Sequence, residues 1–237
     1  MKLKMQIAAV AFVSVFLTTG CQTSHHQGIA HAPTKATQQS ITPAEAKERL
    51  VAGNARYVAS HPLPRDLALV RADTAKGQFP YAVILSCLDS RTSSEIIFDQ
   101  GHGEIFNARV AGNILNDDIL GSMEFACQLA GAKLIAVVGH TECGAIKGAC
   151  GGAKLGHLTG LLDRISPAVA EVGGGKPVDL AAQPQLVNAV TEANVRLVMK
   201  QIREQSSVLR ELLDAGKIGL TGGIYDLQSG HVTFLNN

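Results

Sequence analysis

The sequence predicts an α/β domain whose central sheet is mostly parallel and flanked by helices. Three observations predict it. Apolar runs at Tyr81–Ser86, Glu104–Val110 and Leu134–Val138 have the length of buried strands. A helical pattern of Leu120, Met123, Cys127 and Ala130 lies between the second and third runs. Polar residues able to do chemistry follow the runs directly, where open α/β sheets collect their sites.

The chain has 237 residues, which suits one large domain or two small ones. It begins with Lys2 and Lys4, an apolar run from Ile7 to Leu17, and Thr18-Thr19-Gly20 before Cys21. The run is too short to span a bilayer comfortably and reads as an export signal over residues 1–20. The arrangement resembles a bacterial lipoprotein signal with Cys21 as the lipidated first mature residue; ordinary cleavage nearby is the alternative. The resemblance departs at one point, because Leu17 lies four residues before the cysteine rather than three. Losing the two lysines turns the formal charge of +1 into −1. Residues 21–40, rich in Ser, Thr, Gln and His, are predicted to be a flexible linker, and the catalytic domain is expected over 41–237.

Thr42-Pro43-Ala44-Glu45 is a capping box with proline at the first helical position, so a helix is predicted to about Ala59, with Ile41 as a staple. Little regular structure is expected from there to Phe79. After the first two strands, Asp117 is placed to cap the helix that Gly131 ends. A helix around Leu158–Val172, kinked at Pro167, is followed by a long helix over 183–205 and another from Ser207 to Ala215. Residues 218–226 and 231–235 flank a Ser229-Gly230 turn and are predicted to be closing strands.

Apolar residues at 46% and charged residues at 17% are ordinary for a globular domain. Aromatics at 4% and the absence of a basic block argue against nucleic acid as a partner. An exported chain meets an oxidising compartment, so the four remaining cysteines would by default pair as two disulfides. Their settings argue otherwise. Cys87 and Cys143 sit at polar strand ends, Cys127 fits an apolar helical face, and Cys150 is left as free or paired.

His140-x-x-Cys143 puts an imidazole and a thiolate in one short turn, and Cys87 supplies a third ligand from another strand end. Zinc accepts this soft and borderline set in tetrahedral geometry. A structural site would fill all four positions with Cys or His. Three such ligands leave the fourth for water or for Asp89, which is the form of a catalytic site. Arg91, two residues on, can pair with Asp89, fix its orientation and keep it ionised. Two thiolates donate more charge than imidazoles do, so activity is expected to favour alkaline pH.

Cys87-Leu88-Asp89-Ser90-Arg91 and Gly139-His140-Thr141-Glu142-Cys143-Gly144 together resemble the beta-class carbonic anhydrase family, as do GEIFNARVAGN at 103–113 and GGIYDLQSGHV at 222–232. The resemblance covers about residues 41–235. It implies reversible hydration of carbon dioxide to bicarbonate by zinc-bound hydroxide, with Cys87, His140 and Cys143 as ligands and Asp89–Arg91 as the orienting dyad. It also implies a closed state in which Asp89 becomes the fourth ligand. Gln100 is the nearest match to a substrate-binding glutamine, and Gly112 is expected to allow close backbone approach at the site. The resemblance further implies a homodimer or tetramer with an amino-terminal helical arm. Leu88 departs from the family, which usually has a small or polar residue there. Two alternatives use the same metal site: a hydrolase of carbonyl sulfide or carbon disulfide, and a zinc-binding envelope protein without catalysis.

Overall fold

The structure is a computed structural model, and it describes residues 31–174 and 185–236. The export signal and Cys21 lie outside these residues. So do residues 21–30 of the predicted linker and the start of the helix predicted from 183.

Five strands form one sheet in the order β2-β1-β3-β4-β5. They are β1 (Ala82–Ser86), β2 (Ile105–Arg109), β3 (Leu134–His140), β4 (Gly219–Tyr225) and β5 (Val232–Phe234). The first three pairings are parallel and β5 closes the sheet antiparallel on β4. The predicted mostly parallel sheet with a carboxyl-terminal closing strand is therefore what the chain forms.

Alternation along the strands builds two cores. Val83, Leu85, Ile135 and Val137 face one side with Leu120, Met123, Val195, Val198 and Ile202. Ala82, Ile84, Leu134 and Ala136 face the other with Ala46, Leu50, Tyr81 and Phe98. Both faces are covered by helices, which is why β1 and β3 are buried at every position.

The capping box forms as predicted. Thr42 accepts from the Glu45 amide, and Glu45 accepts from the Thr42 amide at 2.7 Å, opening the helix Pro43–Val58. Proline in the first turn of the helix Ser166–Gly173 breaks the predicted long segment into two, the other being Gly156–Asp163.

The linker expectation needs correction at its end. Residues Lys35–Ser40 form a short helix, α1, capped by Thr34. Gln38 is buried and donates to the carbonyls of Pro80 at 2.7 Å and Ala130 at 2.8 Å. A polar composition reads as solvated chain, yet here the amide satisfies two orphan carbonyls at the sheet's starting edge. The helix Pro43–Val58 is then α2, and α3 (Leu67–Thr74) fills a stretch expected to be irregular, with Asp66 capping two amides. Ser94–Ile97 is α4, and α5 (Asp117–Glu124) is capped by Asn116 rather than Asp117. It runs into a π turn over Phe125–Leu129. Gly144–Cys150 is α6, and α7 and α8 are the two helices split at Pro167. The series ends with α9 (Leu186–Gln205) and α10 (Ser207–Asp214).

Gly53 on α2 has no room for a side chain: a Cβ there would overlap the Phe98 carbonyl. Gly53→Ala is expected to destabilise the fold by about 2–3 kcal/mol through overpacking. Urea unfolding measures it, and an unchanged midpoint would contradict this packing.

Candidate metal centre and active site

The carboxyl ends of β1 and β3 are neighbours in the sheet, with Ser86 opposite Val138. Cys87 leaves β1 directly. His140 is the last residue of β3 rather than the first after it, and Cys143 follows as the residue before α6. Glu142 adopts a left-handed φ of 59°, which turns the chain sharply enough for Cys143 to come back beside His140. The ligand atoms of Cys87, His140 and Cys143 lie within 4.8 Å of one another, and all three residues are buried.

The donor chemistry fits a metal. His140 Nδ1 lies 2.9 Å from the Thr141 carbonyl, which selects the tautomer protonated at Nδ1. That leaves the Nε2 lone pair free, and Nε2 is buried without a hydrogen-bond partner. An orphan acceptor in the core is costly unless it ligates. The two sulfurs are 4.0 Å apart. The Cys143 contact holds the Cys87 thiol well below its ordinary range, with the Asp89 and Gly112 amides assisting against burial. The same contact with Cys87, and burial, push the Cys143 thiol up. One of the pair is thus a ready thiolate. Cys87, Cys127, Cys143 and Cys150 are all free, so the two-disulfide alternative does not hold among the described residues. Burial pushes the Cys127 thiol up to about 12, consistent with a small apolar core residue.

Asp89 and Arg91 form the expected pair. Arg91 Nε donates to Oδ1 at 2.9 Å and Nη2 to Oδ2 at 2.7 Å, while the Arg91 amide adds a third bond at 3.0 Å. These contacts, led by the guanidinium, hold the Asp89 carboxyl well below the usual carboxylate range. Its Oδ2 stands 4.0 Å from His140 Nε2. The carboxylate therefore borders the three-residue cluster while clasped by arginine.

Two residues that sequence reasoning missed hold this loop. Thr92 Oγ1 donates to the Cys87 carbonyl at 3.0 Å or the Asp89 carbonyl at 2.9 Å. Arg109, at the end of β2, donates from Nε to the Cys87 carbonyl at 3.0 Å and from Nη2 to the Asp89 carbonyl at 2.5 Å. One guanidinium so holds the backbone at both a ligand residue and the dyad aspartate. Its only sequence signal is its place at a strand's carboxyl end. Arg109→Met is expected to lower kcat about tenfold while zinc content stays near wild type, and metal analysis alongside kinetics would show both. Wild-type kcat in that variant would remove the role.

Gln100 and Gly112 take different places in the structure. Gln100 precedes β2 and lies at the opposite edge of the sheet. Its Oε1 accepts from Tyr81 Oη at 2.5 Å and its Nε2 donates to the Phe98 carbonyl at 2.5 Å. Tyr81 precedes β1 and Cys87 follows it, so roughly 20 Å of strand separates them. Gln100 therefore does not reach substrate at its own protomer's metal site. Gly112 makes the expected close backbone approach, and it makes it to Cys87. At φ 66° it turns its N–H onto Cys87 Sγ at 3.4 Å, and a Cβ would meet Ile165 Cδ1 at 2.7 Å. Leu88 is 60% exposed at the mouth of the site.

The comparisons with known proteins agree with this geometry. The family model described as carbonic anhydrase matches residues 82–232. Carbonic anhydrase 2 of Mycobacterium tuberculosis is 34% identical over 197 residues, covering 81% of this chain and 92% of that protein. The solved beta-carbonic anhydrase CafA of Aspergillus fumigatus is 27% identical with a TM-score of 0.63, covering 81% of this chain and 89% of that one. A structure from a study of two tetrameric beta-carbonic anhydrases of Sordaria macrospora shares the fold at 21% identity and a TM-score of 0.65, covering 82% and 95%. With the family model spanning well over half of its length, and a Cys-His-Cys centre beside an Asp–Arg pair, this chain belongs to the beta-class carbonic anhydrase family.

Proposed function

We propose that the protein catalyses the reversible hydration of carbon dioxide to bicarbonate and a proton, with zinc held by Cys87, His140 and Cys143. The observation that carries this reading is the three-residue ligand set standing beside an arginine-clasped carboxylate. A structural centre has no use for the carboxylate, and a two-thiolate, one-imidazole set suits zinc. Zinc, when bound, supplies the Lewis acidity that makes water ionisable near neutral pH.

The chain's own residues do the rest. Asp89 accepts a hydrogen bond from the attacking oxygen's remaining proton, which turns a lone pair toward the carbon of carbon dioxide. Arg91 keeps Asp89 ionised and acceptor-only, so Asp89 orients rather than competes for the proton. Thr92 and Arg109 hold the loop so that ligand and acceptor keep a fixed separation. Stopped-flow hydration of carbon dioxide at about pH 8.5 tests the reading. Turnover well above an Asp89→Ala control is expected, and a metal-loaded wild type no faster than that control would overturn it. The same assay with carbonyl sulfide addresses the carbon–sulfur alternative, where slower turnover than with carbon dioxide is expected.

We further propose export and lipidation at Cys21. The support is the sequence of residues 1–21. A diacylglycerol adduct in the intact mass is expected, and an unmodified start near residue 21 would reject lipidation. A homodimer or tetramer is also proposed. Ile96, Phe125 and Leu129 are each more than half exposed, and β2 lies at the sheet's edge. Light scattering at micromolar concentration reads the mass, and a monomer would overturn it.

A further inference from the structure

Asn194 is a buried polar residue that the hydration mechanism does not use. It sits on α9 with 1% of its surface exposed. Its Nδ2 donates to the Gly112 carbonyl at 2.9 Å, while its Oδ1 is buried without a partner. An amide that leaves an acceptor unmet in the core costs about 1–3 kcal/mol for that atom, so its presence is not explained by stability. What it touches offers the reason. Gly112 is the residue whose N–H points at Cys87 Sγ, and its left-handed φ leaves the peptide orientation without a regular backbone ladder to fix it. The same helix packs on β3: a Cβ on Gly139, next to His140, would come within 2.9 Å of Val195. One helix therefore packs beside the end of β3, which carries His140, and beside Gly112, which bonds the β1 ligand Cys87.

We propose that Asn194 is a positioning residue of the metal centre: by holding the Gly112 carbonyl it fixes the peptide after Gly112, restrains the φ and ψ of that glycine, and through them keeps the N–H of the preceding peptide on Cys87 Sγ, which tunes the charge this thiolate gives to the metal. An N–H···S bond withdraws electron density from the sulfur. Groups of this kind behind a ligand alter metal affinity by about 10–100-fold. The inference rests on Cys87 being a ligand, and its test is read without carbon dioxide turnover, so failure of the proposed activity and failure of this role are distinguishable.

The test uses the full chain loaded with cobalt(II), and separately with zinc, in wild type, Asn194→Leu and Thr191→Val. Leucine matches asparagine in shape and removes the donor. Thr191 is equally buried on the same helix, but its hydroxyl bonds only the Val187 carbonyl one turn back, so valine is the control for general disturbance. In Asn194→Leu the thiolate-to-cobalt charge-transfer bands are expected to shift, and the rate at which zinc passes to a chelator to change about tenfold, with little change in melting temperature. Thr191→Val should match wild type in both readouts. Wild-type bands and zinc release in Asn194→Leu would overturn the proposal, as would an equal change in Thr191→Val. Should the leucine variant not fold, Asn194→Ser, too short to reach Gly112, takes its place with the same expected and overturning results.

Discussion

Alanine at Cys143 is expected to strip the protein of zinc, to less than about a tenth of an equivalent per chain, and to reduce carbon dioxide hydration to the uncatalysed rate. Three ligands leave no redundancy: two cannot fix a tetrahedral metal against exchange with solvent and chelators. The Lewis acidity lost is worth several kcal/mol of transition-state stabilisation, so a fall of about a thousandfold or more follows. The fold should survive. Cys143 is buried, but removing one sulfur beside Ile146 and Ile165 deletes little apolar volume. Zinc by mass spectrometry, stopped-flow kinetics and thermal melting on one preparation separate these effects. Full zinc content with wild-type turnover would exclude Cys143 from the centre.

Asp89→Ala is expected to keep zinc at one per chain and still lose about 10²–10³ in kcat, the range for a group that handles a proton at the reacting atom. The split between metal content and rate is the point of the experiment, because Asp89 stands beside the metal position without belonging to the three-ligand set. Asp89→Asn should be nearly as slow. An amide nitrogen in place of one oxygen would face the Arg91 donors at 2.9 and 2.7 Å with a donor of its own. Arg91→Ala should cost less, and the double variant little more than Asp89→Ala alone, since the arginine acts through the carboxylate. The Asp89 carboxyl is held low by Arg91, so it stays ionised throughout the neutral and alkaline range. Any pH dependence of turnover above about pH 6 therefore belongs to the metal-side group and not to Asp89.

The five residues of the site were legible because their chemistry is legible. Cys87, Asp89, Arg91, His140 and Cys143 occupy two short segments, each at the end of a recognisable apolar strand, and parallel strands bring such ends together. Arg109, Thr92 and Asn194 carry no such mark. Each acts through a backbone carbonyl, and which carbonyl a side chain reaches depends on packing rather than on spacing. Gln100 is placed by the same rule, away from its own protomer's centre. It lies close in sequence to the site segments, but it comes before a strand, and in a parallel sheet the residues before strands collect at the edge away from those that follow them. The sheet itself was readable from runs of buried residues. The short helices α1, α3, α4 and α6 were not, because pieces of four to eight residues show barely two turns of periodicity. Only local caps such as Asp66 announce them.

The central claim is a zinc ion with three protein ligands and a fourth position that the protein leaves to solvent. X-ray absorption at the zinc edge, at pH 8.5, on wild type and Asp89→Ala, tests it directly. The predicted result is two sulfurs at about 2.3 Å and two nitrogen or oxygen neighbours at about 2.0–2.1 Å, with the same first shell in both proteins. A first shell that changes when Asp89 is removed would place the carboxylate on the metal at the working pH, and a shell with other than two sulfurs would remove the Cys87–Cys143 pair from the centre.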